Sequence, residues 1–177
     1  MKALVLYESM YGNTAAIGEA IAASLRAHGM EVDAGPISKS QPSTVGGFDL
    51  LVVGGPTHMH GMSRTATRKA ALEDKKNTFD EPNAGPGLRD WLSDLPAGDG
   101  RLAAAFDTRF DKPRILTGSA ANGIAHRLEG RGYRLVEAPE SFFVTTDNEL
   151  EPGQAEHAEM WGARLAEDAS AHGLGAV

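Results

Sequence analysis

"KALVLYESMYGNTAAIGEAI" (residues 2–21) joins two patterns of different period. After Lys2 the run to Tyr7 is apolar without alternation, which is how a strand reads when both faces of its sheet are covered. From Asn13 onward Ile17, Ile21 and Leu25 recur at helical spacing, with Ala20 and Ser24 beside them, and Gly29 stands where a helix would stop. Between the two lies Ser9-Met10-Tyr11-Gly12-Asn13-Thr14, a stretch rich in small and polar groups. Ser9 and Thr14 bring hydroxyls, Asn13 an amide, and Gly12 a backbone free to bend. The helix then begins with unpaired N–H groups and the positive end of its dipole aimed at the same hollow. Such a turn suits an anion, and a simple helix cap is the plainer reading of the same residues.

The pattern repeats along the chain. "MEVDAGPI" (30–37) reads as a weaker second strand and "DLLVVGG" (49–55) as a third, apolar throughout and stopped by glycine. "PTHMHGM" (56–62) reads as a loop, 64–76 as a helix, 77–86 as irregular, and "GLRDWLSDL" (87–95) as a short helix. "RLAAAFD" (101–107) is a fourth strand, "FDTRFDKP" (106–113) its loop, and "GSAANGIAHRLEG" (118–130) a helix. "YRLVEAPESFFVTT" (133–146) reads as a strand broken at Pro139. A final helix covers 151–171, with Ala158, Trp161 and Leu165 on one face and Pro152 in its first turn. Buried strands alternating with amphipathic helices give an α/β fold, a doubly wound parallel sheet with helices on both faces.

Composition narrows the function. A chain of 177 residues, 41% hydrophobic, is read as one domain over 1–177. With no cysteine there is no thiolate ligand, disulfide or thiol nucleophile, so redox chemistry has to come from a bound cofactor. The net charge of −7 carries no basic stripe, and "RTATRKAALEDKK" (64–76) reads as a solvated helix face, which argues against nucleic acid. No signal-like or membrane-length apolar run occurs, so a cytoplasmic protein with no membrane partner is expected.

In a doubly wound sheet ligands sit beyond the carboxyl ends of the strands, where the winding reverses. Neither GxxxxGK[ST] nor GxGxxG is present, so a nucleotide triphosphate or a dinucleotide is disfavoured and a terminal monophosphate fits better.

At this point the chain resembles the flavodoxin family. Val5, Leu6, Tyr7, Ser9, Gly12 and Thr14 match its FMN-phosphate signature, with Tyr11 where many members have Thr and Gly18 where Ala is usual. "GGPTHMHGMS" and "FDTR" followed by "GSAANGIAHRLEGRGYRLV" resemble the second and third flavin loops of single-domain flavodoxin-like proteins of actinobacterial type. The resemblance implies a five-stranded sheet of order 2-1-3-4-5 and FMN at the switch between strands one and three. Flavodoxin is itself the standard example of that rule, so this placement rests on the resemblance.

It further implies site residues. Ser9, Met10, Tyr11, Gly12, Asn13 and Thr14 would hold the phosphate. Pro56, Thr57, His58, Met59, His60 and Gly61 would lie against the ring, with Thr57 donating a hydrogen bond and Gly61 turning a peptide toward it. Flavodoxins often have a Trp there, and this chain has none. Asp107, Thr108 and Arg109 would present backbone groups to the pyrimidine edge, and Phe110 would pack on the ring. His58 and His60 without a third ligand are a poor metal site. Arg109 near the ring would favour anionic reduced flavin and make the second reduction step less negative, whereas strongly reducing flavodoxins line the ring with acids; a surface ion pair is the alternative.

The leading expectation is an FMN-binding electron carrier with no catalytic side chain, serving a redox partner protein or a small-molecule acceptor. Two alternatives stay open. One is an FMN-dependent NAD(P)H quinone reductase or protoporphyrinogen-oxidising enzyme, with a His as proton donor and residues 77–100 near the pocket. The other is a domain that has lost FMN and serves as an interaction module.

Overall fold

Along β1 (Lys2–Tyr7) successive side chains go to opposite faces of a sheet, and both faces are covered. The computed structural model describes residues 1–58, 61–62 and 87–174. Ala3, Val5 and Tyr7 join a core with α1 (Asn13–Ala27) and α5 (Gln154–Leu174). Leu4 and Leu6 join a second core with α2 (Leu88–Ser93) and α4 (Ala120–Gly130), the latter preceded by the one-turn α3 (Arg114–Thr117). Burial on both sides is why the strand is apolar at every position after Lys2.

β1 lies between β2 (Glu31–Pro36) and β3 (Leu50–His58), parallel to both. β5 (Leu102–Phe110) pairs parallel with β3. The fifth position is filled by two short pieces, β6 (Arg134–Leu135) and β7 (Glu140–Val144), each parallel to β5. Pro139 falls in the gap between them, where its missing N–H breaks no ladder bond. The path β2-β1-β3-β5-β6 is the expected 2-1-3-4-5 order. The shift in numbering comes from β4 (Gly61–Met62), a short antiparallel partner of β3.

α1 stops as its sequence suggests. Gly29 takes φ +85° and donates to the Arg26 carbonyl, while Met30 N–H donates to Leu25 O. That pair of bonds is the Schellman ending, and Leu25 and Met30 both sit in the core beneath it. Gly18 is there for packing: a Cβ would stand 2.4 Å from Tyr7 Cδ1. On the far side α1 meets α5 closely, where Ser24 Oγ donates to the Glu159 carbonyl at 2.7 Å and Gly162 leaves room for Ser24.

Several boundaries differ from expectation. β3 runs on through Thr57 and His58, and β5 runs on through Phe110, because each finds a neighbour: β4 for the first, β7 for the second. Residues read as loop are therefore held in a ladder. α5 starts at Gln154, so Pro152 precedes the helix instead of sitting in its first turn. The expected helix over 64–76 and the irregular stretch 77–86 lie outside the described residues. Trp91, whose place was open, is fully buried against β1 and β3, with its Nε1 donating to Ser40 O at 3.1 Å.

Candidate functional site

The carboxyl ends of β1, β3, β5 and β7 surround a small cleft with a cavity volume of about 80 Å³. Its floor is the turn from β1 into α1. Gly12 is the N-cap with φ +89°, a conformation open to glycine and costly for most other residues. The first turn of α1 contains no acidic residue, although the chain carries a net −7. The N–H groups of Asn13 and Thr14 have no partner within the helix, so a positive dipole end faces the cleft uncancelled. Ser9 Oγ accepts the Ala15 N–H at 3.2 Å and keeps its own proton to donate. This is both a cap and half of an anion cradle.

The other predicted residues of this turn are partly engaged. Thr14 Oγ1 and Thr108 Oγ1 share a buried hydrogen bond of 2.7 Å, which pins the helix start to β5. Asn13 Nδ2 donates one of its two protons to Asn148 O at 2.7 Å, which ties α1 to the neighbouring turn. Met10 is buried beneath the turn and lines the cleft. Tyr11 borders the cleft.

The second and third loops meet at Asp107, which is 0% exposed. Its Oδ2 accepts from Thr57 Oγ1 at 2.8 Å, Ser119 Oγ at 2.8 Å and Ala121 N–H at 2.9 Å. Thr57 Oγ1 in turn accepts the Ala120 N–H at 2.8 Å. A carboxylate at the start of α4 is favourably placed against the helix dipole. Thr57, expected to donate to a ligand, donates here to Asp107 and ties β3 to β5 and the start of α4. Pro56 and Thr57 still border the cleft. His58 closes β3, Gly61 pairs with it across the hairpin, and Met59 and His60 lie outside the described residues.

Thr108, Arg109 and Phe110 all border the cleft from β5. Phe110 is 41% exposed at the rim. Arg109, open to a surface ion pair in the sequence, is instead buried and donates to carbonyls. Among the described residues no group of three His, Asp or Glu is arranged to hold a metal ion. None of the described helices is long and apolar enough to cross a membrane.

Residues 4–80 match the family model of the flavodoxin domain. The chain has a flavodoxin-like fold. Solved structures agree on the fold over nearly its whole length. Oxidised Flavodoxin 1 from Bacillus cereus superposes with TM-score 0.69 at 20% identity, over 94% of this chain and 98% of that one. A flavodoxin from the domain Archaea gives TM-score 0.66 at 18% identity, over 96% and 99%. Two-electron reduced Megasphaera elsdenii flavodoxin gives 0.61 at 18%, over 94% and 99%. No curated protein matches the chain in sequence.

Two positions bordering the cleft escaped the sequence reading, Val144 and Asn148. Asn148 has φ +61° in a tight turn after β7, closed by Thr145 N–H to Glu149 O at 2.8 Å. The "TTDNE" run signals a turn, but only the sheet order brings that turn beside α1. Ser119 was also missed. Its Oγ caps α4 by accepting Asn122 N–H at 3.2 Å, a role its place before an Ala-rich helix could have revealed.

Proposed function

We propose that this chain is a single FMN-binding domain over residues 1–177 that carries electrons between partners. The observation that carries the reading is the acid-free start of α1, with Gly12 at φ +89° and Ser9 folded back onto Ala15 N–H, in the turn whose Met10, Tyr11, Asn13 and Thr14 line the switch-point cleft. A monoester phosphate is matched by amides, a hydroxyl and a helix end, with no lysine needed. Ser9, Met10, Tyr11, Gly12, Asn13 and Thr14 would hold that end through backbone N–H groups and the Ser9 hydroxyl. Pro56, Thr57, His58, Met59, His60 and Gly61 would form one wall of the ring site, and Asp107, Thr108, Arg109 and Phe110 the other.

Bound FMN supplies the redox chemistry, accepting and releasing electrons singly or in pairs. The chain's own work is binding, orientation and exclusion of water. Asp107 fixes the ends of β3 and β5 relative to α4, which keeps the two walls a set distance apart. The names of similar structures are consistent with this role, since they include oxidised and two-electron reduced flavodoxins. The partner is taken to be another redox protein or a small-molecule acceptor.

The enzyme reading loses its structural support. Trp91 and α2, the described part of the candidate insertion, pack into the core beside Leu88 and Leu92 and not into the cleft. Absorption spectra of purified protein test the proposal. We expect a yellow protein that releases FMN, not FAD, on denaturation and oxidises NADPH slowly without a reductase. A colourless, folded protein that stays so with added FMN would refute it, and rapid NADPH oxidation would return the enzyme reading.

A further inference from the structure

The turn that follows β7 reaches the cleft, and it does so as a preformed unit. Over residues 145–149, Thr145 N–H donates to Glu149 O at 2.8 Å and Asn148 N–H donates to Thr145 O at 3.1 Å. Thr145 Oγ1 accepts the N–H groups of Asp147 and Glu149, each at 3.3 Å. The turn therefore holds its shape without a ligand. Asn148 takes φ +61°, a conformation that asparagine adopts more readily than most residues. Its carbonyl accepts Asn13 Nδ2 at 2.7 Å, across 135 positions of sequence. That bond sets Asn148 against the first turn of α1.

What this turn brings to the cleft is neutral and uncommitted. Asn148 is half-buried and lines the cleft, while Asp147 and Glu149 on either side of it are exposed. The start of α1 is free of acid in the same way. Thr14, Thr57 and Thr108, which also line the cleft, are hydrogen-bonded within the protein, and Asn13 has given up one amide proton. The side-chain amide of Asn148 has no partner among the described residues. It holds two protons to donate.

We infer that Asn148 is a further phosphate-binding residue, whose amide donates to the phosphate end of the monoester. This rests on the FMN reading above. The sheet order supplies the placement, since β7 lies beside β5 and its turn comes round to the start of α1. The phosphate is then gripped from two sides, by N–H groups and the Ser9 hydroxyl of the α1 turn and by the amide of the β7 turn. A hydrogen bond to a charged oxygen is shorter and stronger than one between neutral groups, so a single amide makes a measurable difference.

The test is the affinity of the stripped protein for FMN and for riboflavin, read from flavin fluorescence. Asn148→Gly keeps the left-handed backbone and the carbonyl that meets Asn13, and removes only the amide. It should weaken FMN about tenfold and leave riboflavin within about twofold of wild type. Asn148→Asp keeps the size and the turn preference but puts a carboxylate in place of the donor. It should weaken FMN more than the Gly variant does, again sparing riboflavin, because like charges then face each other. A Gly variant with wild-type affinity for FMN overturns the inference. So does an equal loss for both flavins, which marks a role in the fold alone, or an Asp variant no weaker than Gly. The FMN reading is judged separately, on whether the wild type prefers FMN to riboflavin.

Discussion

At the scale of single residues, two positions make sharp claims about packing. Gly18 stands where the resemblance in sequence prefers Ala, yet a methyl there would stand 2.4 Å from the Tyr7 ring. Gly18→Ala should destabilise the protein by about 1–3 kcal/mol in urea unfolding, the usual range for overpacking. Tyr7→Leu combined with Gly18→Ala should recover part of that loss, and a double variant no better than the single would refute the clash. The sequence showed that Gly18 was unusual, but its cause lies in the ring of a residue eleven positions earlier. Tyr133 makes the opposite case. Its hydroxyl is buried with no partner, and burial pushes the phenol above its ordinary 10.0. Tyr133→Phe should gain roughly 1 kcal/mol, because an unsatisfied buried group is removed. The wild type holds its phenolic proton more tightly folded than unfolded, so its stability should decline as pH rises above about 10, and the Phe variant should lack that decline.

At the scale of elements, strands one to four were legible as short apolar runs bounded by turn residues, and helices α1 and α4 by apolar positions at a period near 3.6. The ends of β3 and β5 were not. Thr57 and the run Thr108–Phe110 looked like loop because they follow glycines or an aspartate, and the strands that continue their ladders, β4 and β7, are set by tertiary pairing. The same blind spot hid the work of Asp107, whose three hydrogen bonds reach fifty residues back and fourteen forward. Asp107→Ala should lower the unfolding free energy by about 2–4 kcal/mol, since bonds to a charged acceptor are lost together. It should also weaken FMN binding, because the two walls of the cleft lose their common brace. Titration calorimetry alongside urea unfolding checks both, and a loss of stability at unchanged affinity would separate the brace from the site. Ser119→Ala should cost about 1 kcal/mol as a lost cap.

At the scale of the molecule, the sheet order and the two-faced core followed from the alternation of buried strands and amphipathic helices. The place of the cleft followed from the order. What sequence alone could not show was how donors are divided between structure and ligand: Ser9 keeps a free proton, Asn13 gives one of its two amide protons to Asn148 O, and Thr57 gives its own to Asp107. That division sharpens the central claim, which is recognition of a phosphate monoester by the turn from β1 into α1. The most direct measurement is the affinity of the stripped protein for FMN against riboflavin, which differs only in lacking the phosphate. The account predicts FMN tighter on the order of a hundredfold, since charge-assisted bonds from amides and a hydroxyl are worth several kcal/mol together. Equal affinities, or binding of neither, would contradict it.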